Sequence, residues 1–153
     1  MMRAIALWIL LAVVVLAGAL LARRRGVGPI RFISACVLSS VLLWACAGLL
    51  GYAGARITAS SDARTGIAVG TPLGALLGAP LGIALSERGL RDAWPSWRGL
   101  LLAAVGLVAA VAIFLILLTR AGPSGEAAGR SVFVVYPLLG AAAVLGWLVG
   151  ERK

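Results

Sequence analysis

The segment Gly66–Leu85, GIAVGTPLGALLGAPLGIAL, contains 5 glycines and 2 prolines and carries the strongest pattern in the chain. Its glycines recur at every fourth position, as Gly66, Gly70, Gly74, Gly78 and Gly82. On a helix, residues four apart lie on neighbouring turns, so these glycines form a ridge without side chains. Small residues at this spacing let two helices in a bilayer approach backbone to backbone. We therefore expect this glycine ridge to be a helix-packing surface.

The ridge also limits the geometry of its partner. A step of four residues turns a helix by about 400°, so the line of glycines winds by about 160° in total. A straight helix cannot follow that path, which predicts either a right-handed crossing or two different neighbours, one at each end. The second uncharged segment of the chain is rich in small residues, and the fifth repeats Ala142, Gly146 and Gly150 at the same spacing. We expect both segments to pack against the glycine ridge.

Uncharged stretches of transmembrane length recur along the whole chain. The protein has 153 residues, of which 62% are hydrophobic and 12% are charged, whereas an ordinary soluble domain has about 25% charged residues. About 20 helical residues cross the roughly 30 Å hydrocarbon core of a bilayer. Five segments reach that length, at residues 4–22, 32–55, 66–85, 99–119 and 131–150. We predict an all-α, polytopic transmembrane helical bundle of five spans in a single integral membrane domain, residues 1–153.

Two of these spans have an alternative interpretation. The third contains many glycines and prolines, which disfavour helix, so a re-entrant or buried loop is the alternative there. The first has the features of a cleaved signal peptide, because Arg3 precedes it and the triplet Ala17–Ala19 resembles a cleavage site. Its apolar run is longer than such a peptide needs, and Arg23–Arg25 follow it directly, which favours a retained anchor.

Three prolines lie inside predicted spans, at Pro72, Pro80 and Pro137, and we expect each to kink its helix. In the third span they free the carbonyl groups of Ala68 and Leu76, four residues back. These carbonyls need another donor or water, and the hydroxyl groups of Ser34, Ser39, Ser40 and Thr71 are candidate donors. A kink that only shapes packing is one interpretation, and a broken helix that offers carbonyls to an ion or substrate is the other.

Basic residues flank the predicted spans unequally, and this asymmetry predicts orientation. With the N-terminus outside, the cytoplasmic side holds nine basic residues: Arg23, Arg24, Arg25, Arg31, Arg88, Arg91, Arg98, Arg152 and Lys153. The outer side then holds five: Arg3, Arg56, Arg64, Arg120 and Arg130. The chain is therefore predicted to be N-out/C-in. Its small size and its Ala, Gly and Arg content favour a bacterial cytoplasmic membrane.

The predicted cytoplasmic side carries the candidate interfacial anchors. Arg23–Arg25 form a basic cluster that attracts anionic headgroups, and the predicted loop 86–98 carries Trp94 and Trp97, whose indoles favour the headgroup level. Docking of a partner protein is the alternative role for this loop. The net charge of +9 is spread over the span flanks and forms no helical face, so we expect no nucleic-acid partner.

The second and third spans resemble the fourth and fifth in layout. Residues 31–85 and residues 98–150 contain the same features in the same order. Each segment has an arginine, a span, a charged outer loop, and then a proline followed by leucine and glycine. The outer arginine precedes the proline by 16 residues in one case and by 17 in the other. These two segments are possible duplicated hairpins, although similar charge flanks also occur in unrelated hairpins.

The predicted spans contain no Asp, Glu, Lys, Arg or His, the residues that mark proton pathways and hydrolytic sites in membranes. We identify no catalytic, cofactor-binding or metal-binding residue and expect no cofactor. Cys36 and Cys46 would lie about 15 Å apart along one helix, too far for a disulfide, and are interpreted as small buried hydrophobes.

These features predict a non-enzymatic integral membrane protein with an assembly, scaffold or accessory-subunit role. Its expected partners are the lipid bilayer and other transmembrane helices, in a self- or hetero-oligomer. The alternative function is a small channel or transporter lined by the glycine- and proline-rich third helix. A membrane enzyme is the least favoured class, because the sequence presents neither a base nor a nucleophile at membrane depth.

Overall fold

The computed structural model describes the backbone of residues 2–58, 63–121 and 125–151, and the side chains of residues 8–58, 63–112 and 135–151. Within those ranges the chain is helical and contains no strand. Its five helices are α1 (Met2–Arg24), α2 (Pro29–Ile57), α3 (Ala63–Arg91), α4 (Trp97–Ala121) and α5 (Gly125–Gly150). Each helix contains one of the predicted spans and extends beyond it, which confirms the all-α fold class.

Among the residues that the structure describes, two helices, α2 and α3, are long and apolar enough to cross a bilayer, with 29 residues each. Of an apolar 18-residue stretch in each, 22% is buried in α2 and 44% in α3, whereas the core helix of a soluble protein is mostly buried. The apolar stretches that the structure describes in α4 and α5 are shorter, at Trp97–Ala112 and Val135–Gly150. The complete set of five membrane spans therefore stays a prediction.

The third predicted span is helical throughout. Helix α3 continues through Pro72 and Pro80, and α5 continues through Pro137. The non-helical loop that the glycine and proline content suggested for this segment is therefore wrong. Contacts with α2 stabilise a helix whose residues have low intrinsic helix propensity, because tertiary packing commonly outweighs propensity. The kinks expected at the three prolines stay predictions.

The glycine ridge packs along α2 over its entire length. A Cβ atom added to any of its glycines would lie inside van der Waals contact with the α2 backbone, successively at Gly54, Leu50, Cys46, Leu42 and Ser39. The two helices run antiparallel at a separation that only glycine permits. Of the two geometries predicted for the ridge, the one with a different neighbour at each end is wrong. The α2 residues that contact the ridge are also spaced by about four positions. The line of contacting residues therefore winds around α2 in the same sense as the glycines wind around α3, and the two helices stay in contact along the ridge.

Helices α4 and α5 form a second close pair. A Cβ atom on Gly146 would lie inside van der Waals contact with the Leu102 carbonyl group, and one on Gly106 would lie 2.7 Å from the Ala142 oxygen. Gly150 packs on the α4 backbone in the same way. The small residues of α5 therefore pack on α4. The expectation that they would pack on the glycine ridge is wrong, because α2 already covers that surface.

Helix α5 lies at the centre of the bundle and contacts each of the other four helices. Its Val144, Trp147 and Leu148 are fully buried, together with Leu43 of α2 and Ile83 of α3. Helix α1 packs mainly on α5 and only slightly on α2. The last turn of α5 therefore lies beside the last turns of α1 and α3 and the first turns of α2 and α4.

The turn between α1 and α2 is closed by a glycine in the left-handed conformation. Gly26 has a φ of 69°, and the N–H groups of Gly26 and Val27 bond carbonyl oxygens in the last turn of α1 at 3.1 and 2.9 Å. This is the Schellman arrangement, in which a glycine ends the helix and the following apolar residue packs back on it. Pro29, which has a preset φ and no N–H, then begins α2. The turn directs Arg25 toward the end of α5.

The loop between α3 and α4 is shorter than the sequence predicted. The expected loop was 86–98, but α3 continues to Arg91 and α4 begins at Trp97. The helix continues because Ser86 and Glu87 are buried with polar partners on α2. It ends at Arg91 because the next residue, Asp92, has a φ of 52°, a left-handed conformation that Asp adopts more readily than most residues.

Candidate functional site

The most polar part of the described structure is the end of the bundle where α1, α3 and α5 finish and α2 and α4 begin. Here Arg25 Nη1 donates a 2.5 Å hydrogen bond to the backbone oxygen of Glu151, which links α1 to α5. Seven described arginines lie at this end: Arg23, Arg24, Arg25, Arg31, Arg88, Arg91 and Arg98. The opposite end has two among the described side chains, Arg56 and Arg64. We call the first group the arginine-rich end.

A buried ion pair joins α2 to α3 at the arginine-rich end. Arg31 Nε donates to Glu87 Oε1 at 2.5 Å, and Nη2 donates to Oε2, so the guanidinium binds both oxygens of the carboxylate. The two side chains are only 16% and 3% exposed. Beside them, the Oγ atoms of Ser34 and Ser86 are hydrogen-bonded at 2.7 Å. Charges at this depth are tolerated only when each has its partner, and here each does.

The same arginine contacts a third helix. The guanidinium of Arg31 lies 5.4 Å from the ring centroid of Trp147 on α5, within range of a cation–π interaction. Trp147 is fully buried, and its Nε1 has no hydrogen-bond partner among the described residues. Arg31 therefore holds α2, α3 and α5 together at one point.

An open cleft of about 770 Å³ lies next to this ion pair. It is lined by the α1–α2 turn, the first turn of α2, the end of α3 and the end of α5. Its charged lining consists of Arg25, Arg31, Arg91 and a single acid, Glu151. A carboxylate oxygen of Glu151 accepts a 3.1 Å hydrogen bond from Ser96 Oγ. The cleft is therefore positively charged overall, and we call it the arginine cleft.

The predicted interfacial anchors all lie at this end of the bundle but differ in their surroundings. Arg23 and Arg24 are exposed, whereas Arg25 is half-buried through its bond to the end of α5. Trp94 and Trp97 are 66% and 73% exposed, as an interfacial or docking role requires. The Arg88 guanidinium lies 5.2 Å from the Trp94 ring centroid, and this contact orients the indole.

The serines of α2 do not bond the carbonyl groups freed by the prolines of α3. Ser39 Oγ lies within hydrogen-bond distance of the Cys36 oxygen, at 3.1 Å, and of the Gly140 oxygen on α5, at 3.3 Å. Ser40 also donates to Cys36, and Ser34 bonds within its own helix and to α3. The expectation that these three hydroxyls would satisfy the freed carbonyls is therefore wrong, because nearer acceptors exist in α2 itself.

The buried ion pair is not among the predictions from the sequence, because Arg31 lies in a basic span flank and Glu87 lies in the predicted loop 86–98. A signal for it does exist. The glycine ridge pairs Gly74 with Cys46, whose residue numbers add to 120. An antiparallel pair keeps this sum nearly constant, and Ser34 with Ser86 also gives 120, while Arg31 with Glu87 gives 118. Extending the register of the ridge toward the arginine-rich end would have brought the two charges together.

The chain matches no protein-family model, and neither the curated proteins nor the solved structures contain a significant match to it.

Proposed function

We propose that the protein is an integral membrane protein with five spans, N-out/C-in in a bacterial cytoplasmic membrane, and that it has an accessory or assembly role rather than a catalytic one. One observation carries this proposal: large apolar side chains are exposed on the outward faces of α1 to α4. Those that are at least 46% exposed include Val13, Leu16, Leu20, Val37, Val41, Trp44, Leu49, Leu73, Leu77, Leu81, Leu85, Leu101, Val105 and Val108. Water-soluble monomers rarely expose apolar patches beyond a few hundred Å².

The distribution of charge supports the orientation. The arginine-rich end holds seven of the nine basic residues assigned to the cytoplasmic side, and the other two, Arg152 and Lys153, lie outside the described residues. Between this end and the opposite one, the outward faces are apolar. Basic residues gathered at one end of a helical bundle favour the cytoplasmic side of a membrane.

The packing of α3 supports an accessory role over a channel. Backbone contact between α2 and the glycine ridge leaves no space for a conduit along the glycine face of α3. The same contact means that the ridge stabilises the bundle itself, so a partner helix would use the outward faces instead. The one fully buried acid among the described residues, Glu87, is held by Arg31 and is not free to act as a base.

Cysteine labelling tests the topology. After Cys36 and Cys46 are replaced by alanine, the exposed residues Ser96 and Ala63 are changed singly to cysteine in cells that express the full chain. A membrane-impermeant maleimide is expected to label Ala63→Cys in cells with a permeabilised outer membrane, and Ser96→Cys only after lysis. The reversed pattern would contradict the orientation. Labelling of both sites only after lysis would contradict the membrane-spanning arrangement.

Reconstitution tests the accessory role. Proteoliposomes that contain only the purified chain are expected to release potassium and small dyes no faster than protein-free vesicles. In mild detergent, the tagged chain is expected to leave native membranes in a complex of fixed stoichiometry, with a second copy or with another membrane protein. Flux that is abolished by Gly74→Leu in a folded variant would instead support a channel or transporter.

A further inference from the structure

The arginine cleft has the size and the charge of a binding site for a phosphate group. Its volume of about 770 Å³ lies within the range of about 300–1,000 Å³ that small-ligand sites occupy. Three guanidinium groups line it against one carboxylate. Guanidinium groups bind phosphate oxygens through paired, charge-assisted hydrogen bonds. We propose that this cleft binds the phosphate-bearing headgroup of an anionic phospholipid.

The three arginines that line the cleft differ in the partners that their guanidinium groups have within the protein. Arg31 is neutralised by Glu87. Arg25 bonds a backbone oxygen, which accepts a hydrogen bond but carries no full charge, and it forms no ion pair with a described residue, since the Glu151 carboxylate in the same cleft accepts its hydrogen bond from Ser96. Arg91 is exposed and has no hydrogen bond or ion pair with any residue that the structure describes. Arg25 and Arg91 therefore remain to bind an anion, while Arg31 and its ion pair form the rigid wall of the cleft.

The surface next to the cleft favours a lipid over a free phosphate ion. Ile30 lines the cleft and is 73% exposed. It begins a stripe on one face of α2 that continues through Ile33, Val37, Val41 and Trp44, each at least 53% exposed. Residues three and four apart share a helix face, so the stripe runs unbroken from the cleft along α2. A headgroup in the cleft would place its acyl chains along this stripe.

This inference rests on the proposed function in one respect, since it takes the arginine-rich end to lie at a membrane surface. Basic pockets between helices on the cytoplasmic side are suited to anionic headgroups for the same electrostatic reason that polybasic segments are. The binding itself can be measured in detergent, where the orientation of the chain in a membrane plays no part.

The test is a lipid titration of the delipidated full chain in an uncharged detergent. Short-chain phosphatidylglycerol and phosphatidylcholine are added at constant ionic strength, and binding is followed by native mass spectrometry and by the shift in thermal unfolding. Phosphatidylglycerol is expected to bind about thirtyfold more tightly than phosphatidylcholine, because each of the two arginines contributes about 1 kcal/mol to binding the net negative charge. Arg25→Gln and Arg91→Gln are each expected to weaken phosphatidylglycerol binding about fivefold.

Arg98→Gln is the matched control, because Arg98 is exposed at the same end but does not line the cleft. It is expected to change binding by less than about twofold, since screened surface charges contribute little. An equal loss in Arg98→Gln, or equal binding of the two lipids, would overturn the site. Competition by millimolar inorganic phosphate would overturn the choice of a lipid. Because cysteine labelling tests the topology separately, a failed titration with the predicted labelling pattern rejects the cleft alone.

Discussion

Replacing Glu87 with glutamine is expected to lower the free energy of unfolding by about 3 kcal/mol, because it leaves the buried Arg31 guanidinium without its counter-charge. The side chain of Glu87 is 3% exposed and that of Arg31 is 16% exposed, so water in the arginine cleft can replace only part of the lost interaction. Glutamine keeps the shape of glutamate, which limits the effect to charge and hydrogen bonding. The measurement is unfolding of the full chain by titration with sodium dodecyl sulfate in mixed micelles.

Two further variants show whether the loss comes from the buried pair. Asp92→Asn makes the same change from carboxylate to amide at an exposed position of the same end, where asparagine tolerates the φ of 52°. It is expected to change stability by less than about 0.5 kcal/mol. The double variant Arg31→Met with Glu87→Leu removes both charges and is expected to recover most of the loss. A Glu87→Gln protein as stable as the Asp92→Asn protein would contradict the importance of the pair.

Replacing Gly74 with alanine is expected to destabilise the protein by about 2–3 kcal/mol, because the new methyl group has no room against α2. Its Cβ atom would lie 2.6 Å from the Cα atom of Ala47, far below any real contact between carbon atoms. The obstacle is backbone rather than a side chain that could rotate, so α2 and α3 must move apart. The same detergent titration measures the loss.

Gly48→Ala is the matched control for this substitution. Gly48 lies in the middle of α2, and a Cβ atom there would meet nothing within 4 Å. Alanine is the better helix former by up to about 1 kcal/mol, so this variant is expected to be as stable as the natural protein or more so. If Gly74→Ala and Gly48→Ala shift stability equally, the close approach of α2 and α3 at the glycine ridge is wrong.

Much of the secondary structure could be read from the sequence because the signals for it are local. Long uncharged segments separated by arginines predict the five helices. The four-residue spacing of the glycines identifies a surface without side chains. Each of these signals lies within about 30 consecutive residues, so no knowledge of distant contacts is needed.

The candidate site could not be predicted in the same way, because it depends on which helices are neighbours. Arg31 and Glu87 are separated by 56 positions in sequence, Arg31 in a basic span flank and Glu87 in the predicted loop 86–98. Their contact follows only when α2 and α3 are paired in the register of the glycine ridge. The arginine cleft depends on still more contacts, since the α1–α2 turn, α2, α3 and the residue that follows α5 each contribute to its lining.

By itself, the sequence determined the helices and the face of α3 that carries no side chains, since periodicity along one helix specifies which residues share a surface. Only the tertiary structure shows which helices pack together: α2 packs along the whole glycine ridge, and the small residues of α5 pack on α4. The physical reason is that a packing surface can be covered once. The spacing of small residues identifies a surface that can make close contact. Which helix packs on that surface depends on the packing of all the other helices.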